Sequence, residues 1–450
     1  MNSQVPVRVA GERQRVGWFT AACLLVSNII GGGIFTTTGF LARDLGDPLL
    51  ILALWVIGGI VALAGALCYA ELGAAFPQAG GDYVYLREAY GSLVAFLSGW
   101  ASLTVGFGAA IAASSASFAA YFLRVIPLAQ ENSPVAKGLS LLLLWTLTLV
   151  HTRGIVVGGT AQRLLTTTKV VAIMAFLIGG LAVGHGSWMN LITPAPDAAP
   201  EFGAIVVALV FIGYTYLGWN VVGYIAGEIA EPSRTLPRVI IGGTLFVAGL
   251  YLSLNLMYLF ALPVSIMAQP PVLPVAERVA TALWGATSGR FVAAVLCVSI
   301  AGAVSAMVWA GPRVYWAMAR DGAFAPWLST VHPTAGVPVR AIVLQTLWAS
   351  VLILTGTFEQ LVIYGGLVLA AFTALTVSTV FALRHSTRGL MSPFRVPLYP
   401  IPPVLFSLFS LLVVAATFTQ RPFESAFGAL TIAAGLPLYW YWRRQASRPR

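Results

Sequence analysis

Apolar residues run through this chain in long blocks, and the short segments between them gather most of its charges. A helix needs about 20 predominantly apolar residues to cross a bilayer. Blocks near or above that length fall at about 17–42, 48–73, 92–124, 137–151, 161–184, 203–227, 237–262, 290–318, 338–355, 358–384, 400–419 and 423–442, which predicts twelve spans. The polar head from Met1 to Arg15 leads straight into the first block, so no cleavable leader is expected. A span in lipid must satisfy every backbone N–H and C=O internally and should be continuous helix. The first block breaks that rule at Ser27-Asn28-Ile29-Ile30-Gly31-Gly32-Gly33-Ile34-Phe35. Three adjacent glycines weaken a helix by roughly 2.5–3 kcal/mol relative to alanine. Close packing against a neighbouring helix accounts for one glycine; a run of three points to unwound backbone lining a cavity, with free N–H groups suited to a carboxylate.

Span six carries a second interruption, Phe211-Ile212-Gly213-Tyr214-Thr215-Tyr216-Leu217-Gly218-Trp219-Asn220, followed by Gly223. By itself this reads either as an aromatic core helix with incidental glycines or as a discontinuity. Its position favours the discontinuity. Spans one and six open two five-span halves, and interrupted helices in matching positions mark a transporter site at the bilayer midplane. An odd number of spans per half inserts the second half upside down.

Composition agrees with a membrane location: 58% of residues are hydrophobic and 9% charged. Of the 25 Lys and Arg residues, eighteen fall on the side of the two termini, six on the other side and one, Lys169, inside a span. The positive-inside rule then places both termini in the cytoplasm. The net charge of +10 is read as this topology signal; no basic patch with interleaved aromatics points to nucleic acid. Cys23, Cys68 and Cys297 lie within spans and His151, His185, His332 and His385 are scattered, so no disulfide framework or metal-ligand spacing emerges. Neither a nucleotide-binding glycine loop nor a nucleophile elbow is present, and no cofactor is expected.

The ordered motifs resemble those of the amino acid–polyamine–organocation transporters. Gly31-Gly32-Gly33-Ile34-Phe35 is similar to that family's first-span motif, with Gly32 where serine is usual. Tyr69-Ala70-Glu71-Leu72-Gly73, Phe76-Pro77 and Ala79-Gly80-Gly81-Asp82-Tyr83-Val84-Tyr85-Leu86 match the loop after span two. Tyr216-Leu217-Gly218-Trp219-Asn220 and Glu228-Ile229-Ala230-Glu231-Pro232-Ser233-Arg234 resemble the L-type branch. Ala319-Arg320-Asp321-Gly322 and Pro393-Phe394-Arg395-Val396-Pro397 continue the series. The resemblance implies an all-α membrane protein of twelve helices: a five-plus-five inverted repeat with discontinuous helices one and six, plus two peripheral helices. The corresponding divisions are a tail at 1–16, repeats at 17–185 and 186–384, and spans eleven and twelve with a short tail at 385–450.

By the same resemblance, the substrate carboxylate would lie on the amides of Gly31, Gly32 and Gly33, and its ammonium on the carbonyls of Ile29, Tyr214 and Leu217. Tyr214 would also be the aromatic gate toward the outside. Asn220 is a further polar residue at site depth. Lys169, in Thr166-Thr167-Thr168-Lys169-Val170, either snorkels to the interface or serves function, since a charge in a span is costly. The resemblance makes it the substitute for a sodium ion, bracing span one against spans five and eight, and a candidate proton carrier. Tyr251 and Asn255 form a Tyr-x3-Asn pattern that either supports the broken first helix or makes plain interhelical hydrogen bonds, and Ser305 is a further coupling candidate. Glu71, Asp82, Arg87, Glu88, Glu228 and Arg234 are expected to form an inner ion-pair network. Leu217 stands where carriers of cationic amino acids have aspartate, and no acidic residue is expected at mid-membrane depth. A small or medium neutral amino acid is therefore the expected substrate, moved by exchange or with protons and without sodium; a cationic amino acid or polyamine is the alternative. A membrane enzyme would need several catalytic groups converging at depth, where only Lys169 is found. The loop from Val125 to Ala136 has no cysteine, so no disulfide-linked heavy subunit is expected.

Overall fold

The computed structural model describes residues 15–446 apart from 131–132, 183–185, 197, 199, 271–273, 357, 387–388 and 421. His185, the arginines at 8, 13, 388, 421, 448 and 450 counted above, most of the N-terminal tail and the repeat boundary at 185 lie outside the described residues. Among those described, the chain is helical, with one isolated β-bridge between Val16 and Ile229. Among the described residues, seven helices are long and apolar enough to cross a membrane. Shorter apolar helices include Trp18–Ile29, Phe202–Tyr216 and Val339–Thr355.

The first predicted block is α1 (Trp18–Ile29), a non-helical turn and α2 (Thr37–Leu45). Then follow α3 (Pro48–Ala75), α4 (Asp82–Tyr90), α5 (Ser92–Val125), α6 (Pro134–Thr152) and α7 (Ile155–Ala182). The sixth block is likewise split, into α8 (Phe202–Tyr216) and the single turn α9 (Val221–Tyr224). The remainder comprises α10 (Pro232–Ala261), α11 (Val275–Trp284), α12 (Ser288–Arg320), α13 (Val339–Thr355), α14 (Phe358–Arg384), α15 (Ile401–Gln420) and α16 (Pro422–Ala446). Several boundaries differ from the hydropathy blocks because capping sets them. At α6, Pro134 takes the first helical position and Ser133 caps the Ala136 N–H, three residues earlier than expected. At α3, Asp47 accepts from the Leu49 and Leu50 amides in the same way.

α12 is the axial helix. Its most apolar window is 83% buried, against 22% for α15, which packs on the outside against α3 and α14. α1 lies between α7, α10 and α12, and the two interruptions face each other at the centre.

One end of the bundle is tied by ion pairs. Arg384 binds Glu71 through two bonds of 2.9 and 2.5 Å while lying over the Tyr399 ring. Glu71 also accepts the Val396 N–H at 2.6 Å. Arg313 binds Glu228 at 2.7 Å, and Arg87 reaches Glu88 and Asp321. The expected network is thus present in part, with two departures. Among the described residues Asp82 has no cationic partner and accepts from the Tyr224 hydroxyl instead. Among the described residues Arg234 pairs only with Glu231, both largely exposed, because the turn into α10 points both outward.

Glu71 is 1% exposed, and removing one member of a buried pair strands the other charge at a cost of about 3–5 kcal/mol. Glu71→Ala should therefore lower the thermal midpoint in detergent by several degrees, and Glu71→Gln, which still accepts from Val396, by less. Equal midpoints in all three proteins would show that the pair does not hold this end together.

Candidate functional site

α1 stops at Ile29 because the following residues leave helical geometry, Ile30 at φ −77°, ψ 88°. The Gly31 N–H folds back to the Ile29 carbonyl at 2.9 Å, and one turn of 3-10 helix, Gly33–Phe35, leads into α2. Among the described residues the Gly32 and Gly33 amides have no backbone acceptor. A Cβ on Gly31 or Gly32 would meet open space, whereas one on Gly33 would lie 2.8 Å from Thr215 Oγ1. Gly33 therefore lets the two interruptions touch, and Thr37 Oγ1 and Thr215 Oγ1 complete that contact at 3.1 Å.

α8 ends at Leu217, which is extended at φ −64°, ψ 152°. Gly218 then takes φ +118°, a conformation open to glycine alone at low cost. A Cβ there would also strike Asn28 Nδ2 at 2.7 Å; instead Asn28 donates to the Gly218 carbonyl at 3.0 Å.

A cavity of about 200 Å³ occupies the crossing of the two interruptions and is lined by Ile29, Gly31, Gly32, Gly33, Tyr214, Thr215, Leu217, Gly218, Trp219 and Asn220. The predicted backbone contributors are thus brought together around one space. A second cavity of about 900 Å³ continues from the glycines and Tyr214 past Phe40 and Phe211 to Arg124, Ser133 and Lys137, at the end opposite the Glu71–Arg384 and Glu228–Arg313 pairs. Tyr214 borders both and keeps 45% of its surface exposed, so it stands at their junction. On the other side the floor is packed with Trp219, Tyr69 and Tyr224, all buried. Asn220 donates to the Tyr224 hydroxyl at 3.2 Å.

Three helices satisfy the carbonyls that the first break frees. Lys169 is fully buried in α7 and does not snorkel. Its ammonium donates to the carbonyls of Ile30 (2.6 Å) and Ser27 (3.0 Å) and to Ser27 Oγ (3.2 Å). Three donors meet three oxygens. Ser299 of α12 donates to the same Ile30 carbonyl at 3.2 Å, and Tyr251 of α10 to the Ile29 carbonyl at 3.0 Å. Asn255 binds Thr38 of α2 through its Oδ1 and the Tyr251 carbonyl through its Nδ2.

Ser305 is a correction. It bonds His151 Nε2 at 2.9 Å and takes no part around Lys169; Ser299 does. Six residues of helix place Ser305 about 9 Å further along α12 and on another face.

The sequence reading also overlooked α5, which supplies Ser102, Gly106, Phe107, Ala110 and Ser114 to the smaller cavity. Here residues Ser102–Gly106 form a π-helical turn, a feature frequent at functional sites. The loosened backbone is held from outside: Tyr315 donates to the Ser102 carbonyl at 3.3 Å and Trp348 Nε1 to that of Thr104 at 2.9 Å. The signal available was the Gly106-Phe107-Gly108 step inside span three. Ala303 and Met307 of α12 and Leu369 and Thr373 of α14 complete the wall.

A family model described as "Amino acid permease" matches residues 16–436. The serine/threonine exchanger SteT of Bacillus subtilis is 31% identical over 438 residues, covering 96% of this chain and 97% of its own. The large neutral amino acids transporter small subunit 2 of Mus musculus is 27% identical, with 96% and 82% covered. The b(0,+)-type amino acid transporter 1 of Homo sapiens is 28% identical, with 100% and 93% covered.

Lys169→Met keeps most of the side-chain volume while leaving the Ser27 and Ile30 carbonyls short of donors. Loss of one ordinary hydrogen bond, about 1.4 kcal/mol, loosens a local opening equilibrium about tenfold. Deuterium uptake across residues 26–36 of the variant should accelerate by at least that factor, with little change in α15. Equal uptake in the two proteins would mean that Lys169 does not hold the turn.

Proposed function

Because this chain belongs to the amino acid permease family, we propose that it is a sodium-independent secondary transporter of small or medium neutral amino acids, exchanging them by alternating access. It is a membrane-embedded transporter rather than an enzyme. In this reading the chain has twelve spans, with residues 17–185 and 186–384 as inverted repeats and both termini cytoplasmic. The larger cavity then opens to the outside, with Tyr214 as the gate above the site.

One observation carries this reading: two interrupted helices bring unpaired amides and turn carbonyls to a single cavity that has no ionisable acid or base of Asp, Glu, Lys, Arg or His among its described lining residues. A zwitterion needs donors for its carboxylate and acceptors for its ammonium, and helix ends of opposite polarity supply both. Gly32 and Gly33 offer free donors, and the Gly31 N–H, turned back to the Ile29 carbonyl, joins them when that bond is released. Of the carbonyls, that of Ile29 already accepts from Tyr251 and from the Gly31 N–H and that of Tyr214 from the Leu217 N–H, which leaves Leu217 the freest acceptor. A cationic side chain would enter with nothing to neutralise it. SteT and the large neutral amino acids transporter support a neutral substrate, and SteT supports exchange.

Lys169 supports sodium independence. Its ammonium already occupies the oxygens of Ser27 and Ile30 that a monovalent cation at this break would use. It also fixes α1 in one arrangement against α7, so Lys169→Ala should impair turnover more than substrate affinity. No disulfide-linked partner is invoked, since residues 125–136 contain no cysteine.

The test is uptake into proteoliposomes preloaded with each of the twenty amino acids, in sodium or choline buffer. Neutral amino acids should exchange at equal rates in both buffers, and free arginine should compete weakly. Gly31→Val, whose side chain enters open cavity, should abolish binding in a protein that still folds. Gly33→Val is a poor probe because it would also push Thr215. Leu217→Asp places a carboxylate beside the substrate side chain, where attraction for a cation about 5 Å away is roughly 3 kcal/mol at an effective dielectric near 20. Even a third of that shifts selectivity several-fold toward arginine. Strong inhibition of the unaltered protein by arginine would replace the neutral assignment with the cationic one; sodium-dependent exchange would overturn the reading of Lys169.

A further inference from the structure

Beneath the substrate cavity, the short helix α4 between the second and third spans begins at Asp82, which is 3% exposed. Its Oδ2 accepts from the Tyr224 hydroxyl at 2.8 Å, and Tyr224 in turn accepts from Asn220, which lines the cavity. Gly80 N–H closes the same joint on the Tyr224 carbonyl at 3.0 Å. Gly81, at φ +52°, lets the Tyr224 ring lie against the loop; a Cβ there would fall 2.4 Å from the ring. Asp82 Oδ1 has no partner of ordinary hydrogen-bond geometry among the described residues, although the Tyr69 hydroxyl is directed at the carboxyl.

The charged groups around it are engaged elsewhere. On α4 itself Arg87 binds Glu88 and Asp321; on α3 Glu71 binds Arg384 of α14; on α12 Arg313 binds Glu228. What faces the carboxyl is Tyr69 from α3, Tyr85 from α4, and Tyr224 and Asn220 from the second interruption. A buried carboxylate with one oxygen unmatched and no cation nearby is stabilised by a proton, which turns Oδ1 into a donor for a phenol oxygen.

We propose that Asp82 is a proton-binding site that latches the floor of the substrate cavity: with the proton bound, α9 stays on the loop at 79–82, and when the two part the carboxyl is hydrated and gives the proton to water on the ion-pair side. This rests on the transport reading above, in which that floor must open. Burial raises the Asp82 pKa to about 6, with hydrogen bonds from Tyr224, Tyr69 and Asn220 opposing the rise. In the parted state it returns toward the ordinary value near 3.9. A group with the higher pKa in the closed state favours that state as pH falls: the effect is absent well above pH 6, grows through pH 6 and levels off near pH 4. Between pH 7.5 and pH 5 the ratio of open to closed floor should fall about tenfold.

Deuterium uptake of the full chain in nanodiscs reads this ratio without any substrate, so it stays informative even if amino acid exchange is not observed. Each pH is compared with Asp82→Asn, which cancels the intrinsic pH dependence of amide exchange. In the unaltered protein, segments 79–85 and 219–226 should become about tenfold more protected at pH 5 than at pH 7.5, relative to the variant, and the variant should be the more protected at pH 7.5. Tyr224→Phe removes a bond that favours the carboxylate and should move the midpoint to higher pH. It serves as the second probe if Asp82→Asn fails to fold. PH dependence that persists in Asp82→Asn, its absence from the unaltered protein, or an unmoved midpoint in Tyr224→Phe would overturn the assignment.

Discussion

A buried ammonium and an unwound helical turn each carry a large desolvation cost alone, and this structure rests on the cancellation of the two. Away from water, the carbonyls freed where α1 ends need donors, and the Lys169 amine needs acceptors. Their union at 2.6–3.2 Å satisfies both and fixes α1 against α7. With Ser299 and Tyr251 adding donors from α12 and α10, the break becomes a point at which four helices converge. The Gly32 and Gly33 amides on its other side have no backbone acceptor among the described residues.

Much of this was legible in the residues. The glycine run at 31–33 located the first break and Gly218 the second, because a residue with no Cβ both weakens a helix and admits φ +118°. Lys169 announced itself as a charge set six residues deeper in its span than the interfacial Arg163. Partner identity was less accessible. Ser299 and Ser305 are equal candidates in a one-dimensional list, and only the rotation of α12 about its axis separates them; six residues turn the helix by about 240° beyond full revolutions. The inner network was misread at Asp82 for a related reason. A carboxyl beside Arg87 in sequence faces the opposite side of α4 and finds tyrosines there.

The ion-pair end of the molecule is closed by two different means. Around the rim, bidentate or buried ion pairs tie α3 to α14 and α12 to the 3-10 turn Ala226–Glu228 after α9. Beneath the cavity itself the contacts are aromatic edges and single hydrogen bonds, as between Trp219 and Tyr69 with centroids 4.7 Å apart, or Phe107 and Tyr224 at 5.2 Å. Such contacts slide at lower cost than a stranded charge pair can be separated. A stiff perimeter thus surrounds a yielding centre.

The π-helical turn in α5 sets an angular relation between two parts of one helix. Residues 92–101 pack on α4 and α16, while residues 107–125 pack on α6, α12, α13 and α14. An extra residue in the turn offsets the second part by about 100° relative to an uninterrupted α-helix. Both parts can therefore present their small side chains inward at once, Gly99 toward Met318 and Gly108 toward Trp348. The turn acts as a gear between two packing surfaces of unequal phase. Excision of a single residue from 102–106 would leave the hydropathy of the span almost unchanged and yet rotate every side chain on one half away from its neighbours.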